Sequence, residues 1–526
     1  EALRGILACL QDRRCLPVQV QAAVTIGALL DQEAVQRAIQ PVLPAVTEAV
    51  LALNGAVEVD AVAMVLEKLV SMFADDLAPY AEQLAVGVAG TVVRMIAAQR
   101  EAGGQEDDGS VHFDDTDRMM ALVGMMKTLV TLVDSMAASQ AVLAVLEPAI
   151  LPAIRAVFAD RVSDVYDETF ELIQSITFLR KAVSRDLWSV CMPAFLAIYD
   201  GTGSAGKEHA EEIIACLDNF VTYDAATFMG TPGVADAVHR IIVGVMRLTG
   251  DADEEDDDYG EAEAACGLME AILLNCRGAV DAMAADFVRL VMARLTDQRG
   301  IVSTDADSVL HVEVVLAAAF YNAALTLSTL EASGFTEVFL SRWFLLAAKF
   351  TRVHDKRMVL AAASAILALP VDHLPEKLRQ HLGMLLGTVA DAVQSLPKAM
   401  AERERLKQEA ENDDNIVGGD EEEFLDFGDD AEDAEIDSDA EDAEVGDTGA
   451  KGHESEELSD FDEYDDEWEE EELEENIYFE SALDRVDIAG LVQSAVGQFA
   501  RQNSGAFREA LSGLAPEQAA TLSSIV

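Results

Sequence analysis

Residues 16–30 read LPVQVQAAVTIGALL, and their spacing decides the fold class. Val18, Ala22, Ala23, Ile26, Leu29 and Leu30 fall on one face of a helix, and Pro17 sits in the first turn, where its missing N–H costs nothing. The next stretch, EAVQRAIQPVLPAVTEAVLAL, repeats the apolar stripe after a short break. The same periodicity predicts helices at 58–73, 79–100, 116–136, 139–158, 164–179, 184–199, 207–220, 234–248, 261–275, 280–296, 306–331, 335–349, 355–368 and 374–410. A helix pair about every 40 residues, without a strict sequence repeat, is the pattern of a HEAT-type array in which each unit buries its face only against its neighbours. The expected fold is all-α, a HEAT-repeat α-solenoid with roughly ten units before residue 410 and a long acidic, disordered loop after it.

Composition agrees with stacked helices. The 526 residues are 51% hydrophobic but 6% aromatic, and Ala, Val and Leu dominate. The net charge of −61 argues against direct binding of DNA or RNA, because phosphate recognition needs Lys and Arg. A partner chosen by charge is basic. Cys9, Cys15, Cys191, Cys216, Cys266 and Cys276 lie far apart with no CxxC pair, so they read as reduced, buried thiols and not as metal ligands. The longest uncharged run, 314–330, falls short of the roughly 20 residues of a membrane span and reads as two core helices or one long one. The chain begins with Glu1, with no signal peptide, and reads as part of a longer protein.

The charge is concentrated. Residues 411–475 hold 34 Asp and Glu against one Lys, more than half of the net charge, and such a run cannot bury a core. Shorter acidic stretches interrupt the helices at 103–117 and 250–263. Past the tract, Ile488, Leu491, Val492, Val496 and Phe499 form one stripe and Phe507, Leu511 and Leu514 another. The expected organisation is a solenoid over 1–410, an acidic loop over 411–480, and helices over 481–526 that pack back on the solenoid. DFDEYDDEWEEEELEE at 460–475 adds three aromatics to the acids, so Asp460, Phe461, Asp462, Glu463, Tyr464, Asp465, Asp466, Glu467, Trp468, Glu469, Glu470, Glu471 and Glu472 are the candidate binding residues. Phe461, Tyr464 and Trp468 either stack on Arg and Lys of a basic partner, accompany a purely electrostatic loop, or dock on the chain's own solenoid. Ser438, Ser455 and Ser459 lie in contexts that acidophilic kinases prefer.

No motif points to catalysis, so no enzyme, cofactor or metal is expected. GTGSAGKE at 201–208 has glycine spacing like a phosphate loop, but a helical segment precedes it and Glu208 stands where Ser or Thr would reach magnesium. DADEEDDDYGEAE lacks the glycine and glutamate positions of a calcium loop. The eight histidines form no HExxH. ENIYFES at 475–481 resembles a protease tag but departs from it twice, and reads as native sequence.

Several stretches carry a family resemblance. SRWFLLAAKFTRVHDKRMVLAAASAIL, with Trp343 and HDKRM at 354–358, resembles late repeats of the importin-beta (karyopherin-beta) superfamily, in the branch of importin seven and importin eight. YDETFELIQSITFLRKAVSRDLWSVCMPAFLAIY (166–199), LDNFVTYDAATFM (217–229), AAFYNAALTLSTLE (318–331), the tract ending DEWEEEELEE, and FREALSGLAPEQAATLSSI (507–525) are similar to their counterparts in the same order. The resemblance implies the C-terminal half of a nuclear transport receptor that shuttles between cytoplasm and nucleus. It implies basic cargo such as ribosomal proteins or histones, passage by FG nucleoporins and release by Ran-GTP, and it allows importin beta as a partner. The main Ran-binding surface of the family lies in first repeats that this chain lacks. No nucleic-acid or membrane partner is expected, from the net charge and from the length of the longest uncharged run. A helical-repeat scaffold without a transport role, or an acidic histone chaperone, is the alternative.

Overall fold

In a computed structural model the described residues are 2–12, 14–57, 59–102, 111, 113, 116–200, 208–247, 259–413, 473 and 475–526. Among them the structure is helical, and the helices fall into two layers. The first layer stacks Leu16–Leu29, Asp60–Met72, Thr116–Asp134, Tyr166–Arg180, Ala210–Gly230, Tyr259–Asn275, Asp305–Ser333, Val353–Leu367 and Ile488–Gln502, each against the next. The second holds Leu43–Val57, Ala81–Glu101, Gln140–Asp160, Arg185–Tyr199, Val234–Met246, Asp281–Leu295, Thr336–Leu345 and Leu382–Asp413. Second-layer and first-layer helices alternate along the chain, giving a HEAT-type solenoid with one continuous apolar core between the layers. Eight alternating pairs are described from Leu43–Val57 onward, where about ten were expected.

Local chemistry sets the ends and bends. Ser139, Ser184 and Thr304 accept the N–H of Val142, Leu187 and Asp307, satisfying donors that a helix start leaves open. Two first-layer helices bend at a polar residue. Asn322 (φ −158°, ψ 92°) interrupts Asp305–Ser333, and its side-chain oxygen accepts the N–H of Leu325 at 3.1 Å, so it acts as an internal N-cap. The uncharged run at 314–330 is thus two helical halves in one element. Asp224 does the same within Ala210–Gly230, accepting from Thr227 N–H at 3.1 Å and from the Trp188 indole at 3.1 Å.

Two expected helices are corrected. The helix expected at 207–220 runs on to Gly230 because Asp224 re-caps it instead of ending it. The one expected at 374–410 is a short helix, Glu376–Gln380, and then Leu382–Asp413. Cys191, Cys216, Cys266 and Cys276 are buried free thiols, but Cys9 and Cys15 are exposed, contrary to the expectation for all six. By length and composition, three helices could cross a membrane: Ala74–Glu101, Gln140–Asp160 and Asp305–Ser333. Each packs within the array, the last with 78% of its most apolar window buried.

The topology places the acidic stretches. Residues 103–110, 248–258 and 414–472, which lie outside the described set, each fall between a second-layer helix and the first-layer helix that follows it. Links of that kind all leave from one edge of a two-layer array, so the helix ends that flank these three stretches share an edge. Leu382–Asp413 and Ile488–Gln502 both pack on Val353–Leu367.

The inner face and the segment that crosses it

Carboxylates recur along the first layer with few cations among them. Glu171 lies within electrostatic reach of Glu67, Asp134 and Glu168, and Lys127 lies within reach of Glu67, Glu168 and Glu171. Burial is the leading cause that raises the pKa of Glu67, Glu168 and Glu171, with Lys127 opposing it in each. Burial likewise pushes Asp134 and Asp218 up to about 6. These groups are held where ionisation is costly, and a cation brought beside them would relieve that cost.

Further along, the face becomes a paired network. Arg352 reaches Glu313 at 2.9 Å and Asp355 at 2.7 Å, and Asp355 also accepts the Arg352 backbone N–H at 3.0 Å as a cap of Val353–Leu367. Glu313 and Asp355 are 2% and 0% exposed. Burial first, and the Asp355 carboxylate second, raise Glu313 well above the usual carboxylate range. Next to them His354 places Nε2 2.6 Å from Glu270.

An ordered segment lies on this network. Glu475 accepts the backbone N–H of Val353 at 2.7 Å, at a helix N-terminus where negative charge is favoured, and pairs with Arg403 at 3.4 Å. Asn476 accepts the N–H groups of Tyr478 (2.9 Å) and Phe479 (3.0 Å), turning the chain. Arg403 donates to the carbonyls of Ile477 and Phe479. The Phe479 ring meets His354 edge-on at 5.0 Å, and Ser481 Oγ lies 3.2 Å from His354 Nδ1. Glu480 pairs with Lys181 at 2.5 Å, Arg357 with Asp484 at 2.6 Å, and Leu483 is fully buried. ENIYFES therefore docks on the solenoid, a role that no periodicity in its seven residues announces.

One adjacency fixes the curvature. Glu480 touches Lys181 and its neighbour Ser481 touches His354, while three first-layer helices lie between Tyr166–Arg180 and Val353–Leu367. Two side-chain reaches and one peptide step span at most about 25 Å. Four helix-to-helix steps of ~8–10 Å in a straight stack would exceed that. The array curls, with the first layer inside.

The candidate residues 460–472 lie outside the described residues, as do Ser438, Ser455, Ser459 and most of GTGSAGKE. The last follows the helix Arg185–Tyr199 and not a strand. Among the described residues one group could share a cation: His209 Nδ1 is 3.4 Å from Asp167 and 3.9 Å from Glu212, with all three ligand atoms within 4.8 Å of one another. The Glu212 carboxylate raises the basicity of His209, and a protonated imidazole accounts for the pairing.

A pH test follows from the open carboxylates. Asp134 and Asp218 are raised, so each is largely protonated below about 6 and ionised above it. A bound cation favours the ionised form, so binding of a basic peptide should release protons near pH 6 and weaken as pH falls through that value. Calorimetry in buffers of different ionisation enthalpy should show that release in the wild type and lose it in Asp134→Asn/Asp218→Asn. Equal proton release in both would contradict the assignment.

No protein-family model matches the sequence. The chain is 23% identical over 435 residues to a Dictyostelium discoideum protein named as an importin-7 homolog, covering 82% of this chain and 38% of that one. It is 25% identical over 378 residues to an importin beta-like SAD2 homolog of Arabidopsis thaliana, covering 70% and 34%. Against importin-8 of Danio rerio it is 24% identical over 386 residues, covering 71% and 35%. The chain thus spans about a third of the length of these relatives, and along most of its own length it is similar to proteins named as importins.

Proposed function

We propose that this chain is part of an importin-type nuclear transport receptor and that it holds basic cargo, such as ribosomal proteins or histones. The observation that carries the reading is the run of carboxylates on the inner face at Glu67, Asp134, Glu168 and Glu171, where Lys127 is the cation that opposes the raised pKa of Glu67, Glu168 and Glu171. Basic side chains would supply the missing counter-charge, and a curved layer offers many such contacts in series. Similarity to proteins named as importins supports transport as the purpose of that binding, and they are named for import, not for a catalysed reaction. Acids at 460–472 would gather the cargo, with Phe461, Tyr464 and Trp468 stacking on its Arg and Lys. The whole receptor would shuttle between cytoplasm and nucleus, contact FG nucleoporins, and release cargo to Ran-GTP through repeats outside this chain, with importin beta as a possible co-receptor.

A scaffold or histone chaperone would use the same acidic face, and release separates the readings. Mass spectrometry of proteins freed from the full-length receptor by Ran-GTP should return basic nuclear proteins. A set without them, or no release, would favour the scaffold.

A further inference from the structure

In a helical solenoid each repeat touches only its neighbours, so curvature is soft unless something spans several repeats. Residues 475–484 do so. They contact Arg403 on the last second-layer helix, Val353, His354 and Arg357 on one first-layer helix, and Lys181 four first-layer steps earlier. The attachments are unequal. Arg403 and Glu475 are 12% and 17% exposed, whereas Lys181 and Glu480 are 46% and 51% exposed. The root is sheltered, and the tip is an open ion pair that salt and competing cations can reach.

Lys181 is unusual in its own right. It closes Tyr166–Arg180 with φ 53°, in the left-handed region that favours glycine, and among the described residues only Arg161 is a second non-glycine there. A lysine in this conformation carries a backbone cost that glycine would avoid, and its ion pair with Glu480 gives the side chain a role there.

We propose that residues 475–484 are a tie across the inner face: the Lys181–Glu480 pair closes it and sets how tightly the array curls, and a polycationic partner opens it. Glu480 lies just past the acidic tract, so a partner gathered by that tract is delivered to the one exposed pair that holds the curl. This opening step rests on the function proposed above. The tie itself does not.

The test is a distance. Spin labels at Asp186→Cys and Lys398→Cys, with Cys9→Ser and Cys15→Ser, report the separation of two second-layer helices on either side of the tie. The full chain should give one narrow distance. Glu480→Lys and Lys181→Glu should each lengthen and broaden it, and the two together should restore it. Lys181→Gly, which removes the ammonium while easing the backbone, should open the curl without lowering thermal stability. An unchanged distance in the single variants, or no restoration in the double, would overturn the tie. Adding a lysine oligomer to the full chain should reproduce the lengthening. If the charge swaps behave as stated but the oligomer changes nothing, the tie stands and its opening by a basic partner is refuted.

Discussion

Arg352→Ala should destabilise the C-terminal repeats by about 3–5 kcal/mol, because it leaves two buried carboxylates without their cation. Glu313 and Asp355 are almost wholly inaccessible, and Arg352 bridges them at 2.9 and 2.7 Å while capping the helix that carries the docked segment. A surface pair would be worth far less, at about 0–1 kcal/mol. The loss should depend on pH with a definite sign. Glu313 has its folded pKa raised, so its ionisation opposes folding increasingly as pH rises above its unfolded value, and protonation relieves that cost as pH falls through the folded value. Urea unfolding should therefore show a larger deficit for Arg352→Ala at about pH 8 than at about pH 5.5, and Glu313→Gln on that background should recover part of it. A deficit below about 1 kcal/mol, or one that is the same at both pH values, would mean that Arg352 is not the counter-charge of this pair.

Apolar periodicity made the layers legible. Val353–Leu367, Asp281–Leu295 and Val234–Met246 begin and end within two residues of their expected bounds, since Ala, Val and Leu at helical spacing have no competing solution in so aromatic-poor a chain. Polar residues that act through tertiary partners were less readable. The helix expected at 207–220 stops short of Asp224, and the one expected at 306–331 runs through Asn322 without a bend, yet each residue caps the continuation of its helix. His381 gives no sequence sign of the break it makes between Glu376–Gln380 and Leu382–Asp413. The inner carboxylates were hidden for a similar reason: Glu67, Asp134 and Glu171 lie on three separate helices and converge only because those helices stack in one layer. The exposed aromatics at Tyr478 and Phe479 sit just beyond the stretch that composition singled out. Charge density marked 460–472, which lie outside the described residues, while the less acidic ENIYFES docks on the solenoid through a turn, a ring and well-placed single carboxylates.

The second large effect concerns association with a basic protein. Two features should contribute in different ways. On the proposed function the tract at 414–472 would supply long-range attraction and therefore speed, whereas the inner carboxylates would make close contacts and set the lifetime of the complex. Replacing 414–472 by a Gly-Ser linker removes most of the tract's charge and leaves the docked segment at 475–484 in place. Association should slow by roughly 10- to 100-fold at low salt, and the difference should vanish as the Debye length shortens toward about 3 Å near 1 M salt. Asp134→Lys with Asp218→Lys should instead speed dissociation, with a small change in association.

Stopped-flow binding of a histone to the intact chain, the linker variant and the inner-face variant, each across a salt series, tests the central claim most directly. The account predicts slow association for the first variant and fast dissociation for the second, with the association gap between intact chain and linker variant closing at high salt. Association and dissociation rates unchanged in both variants at low salt would contradict it.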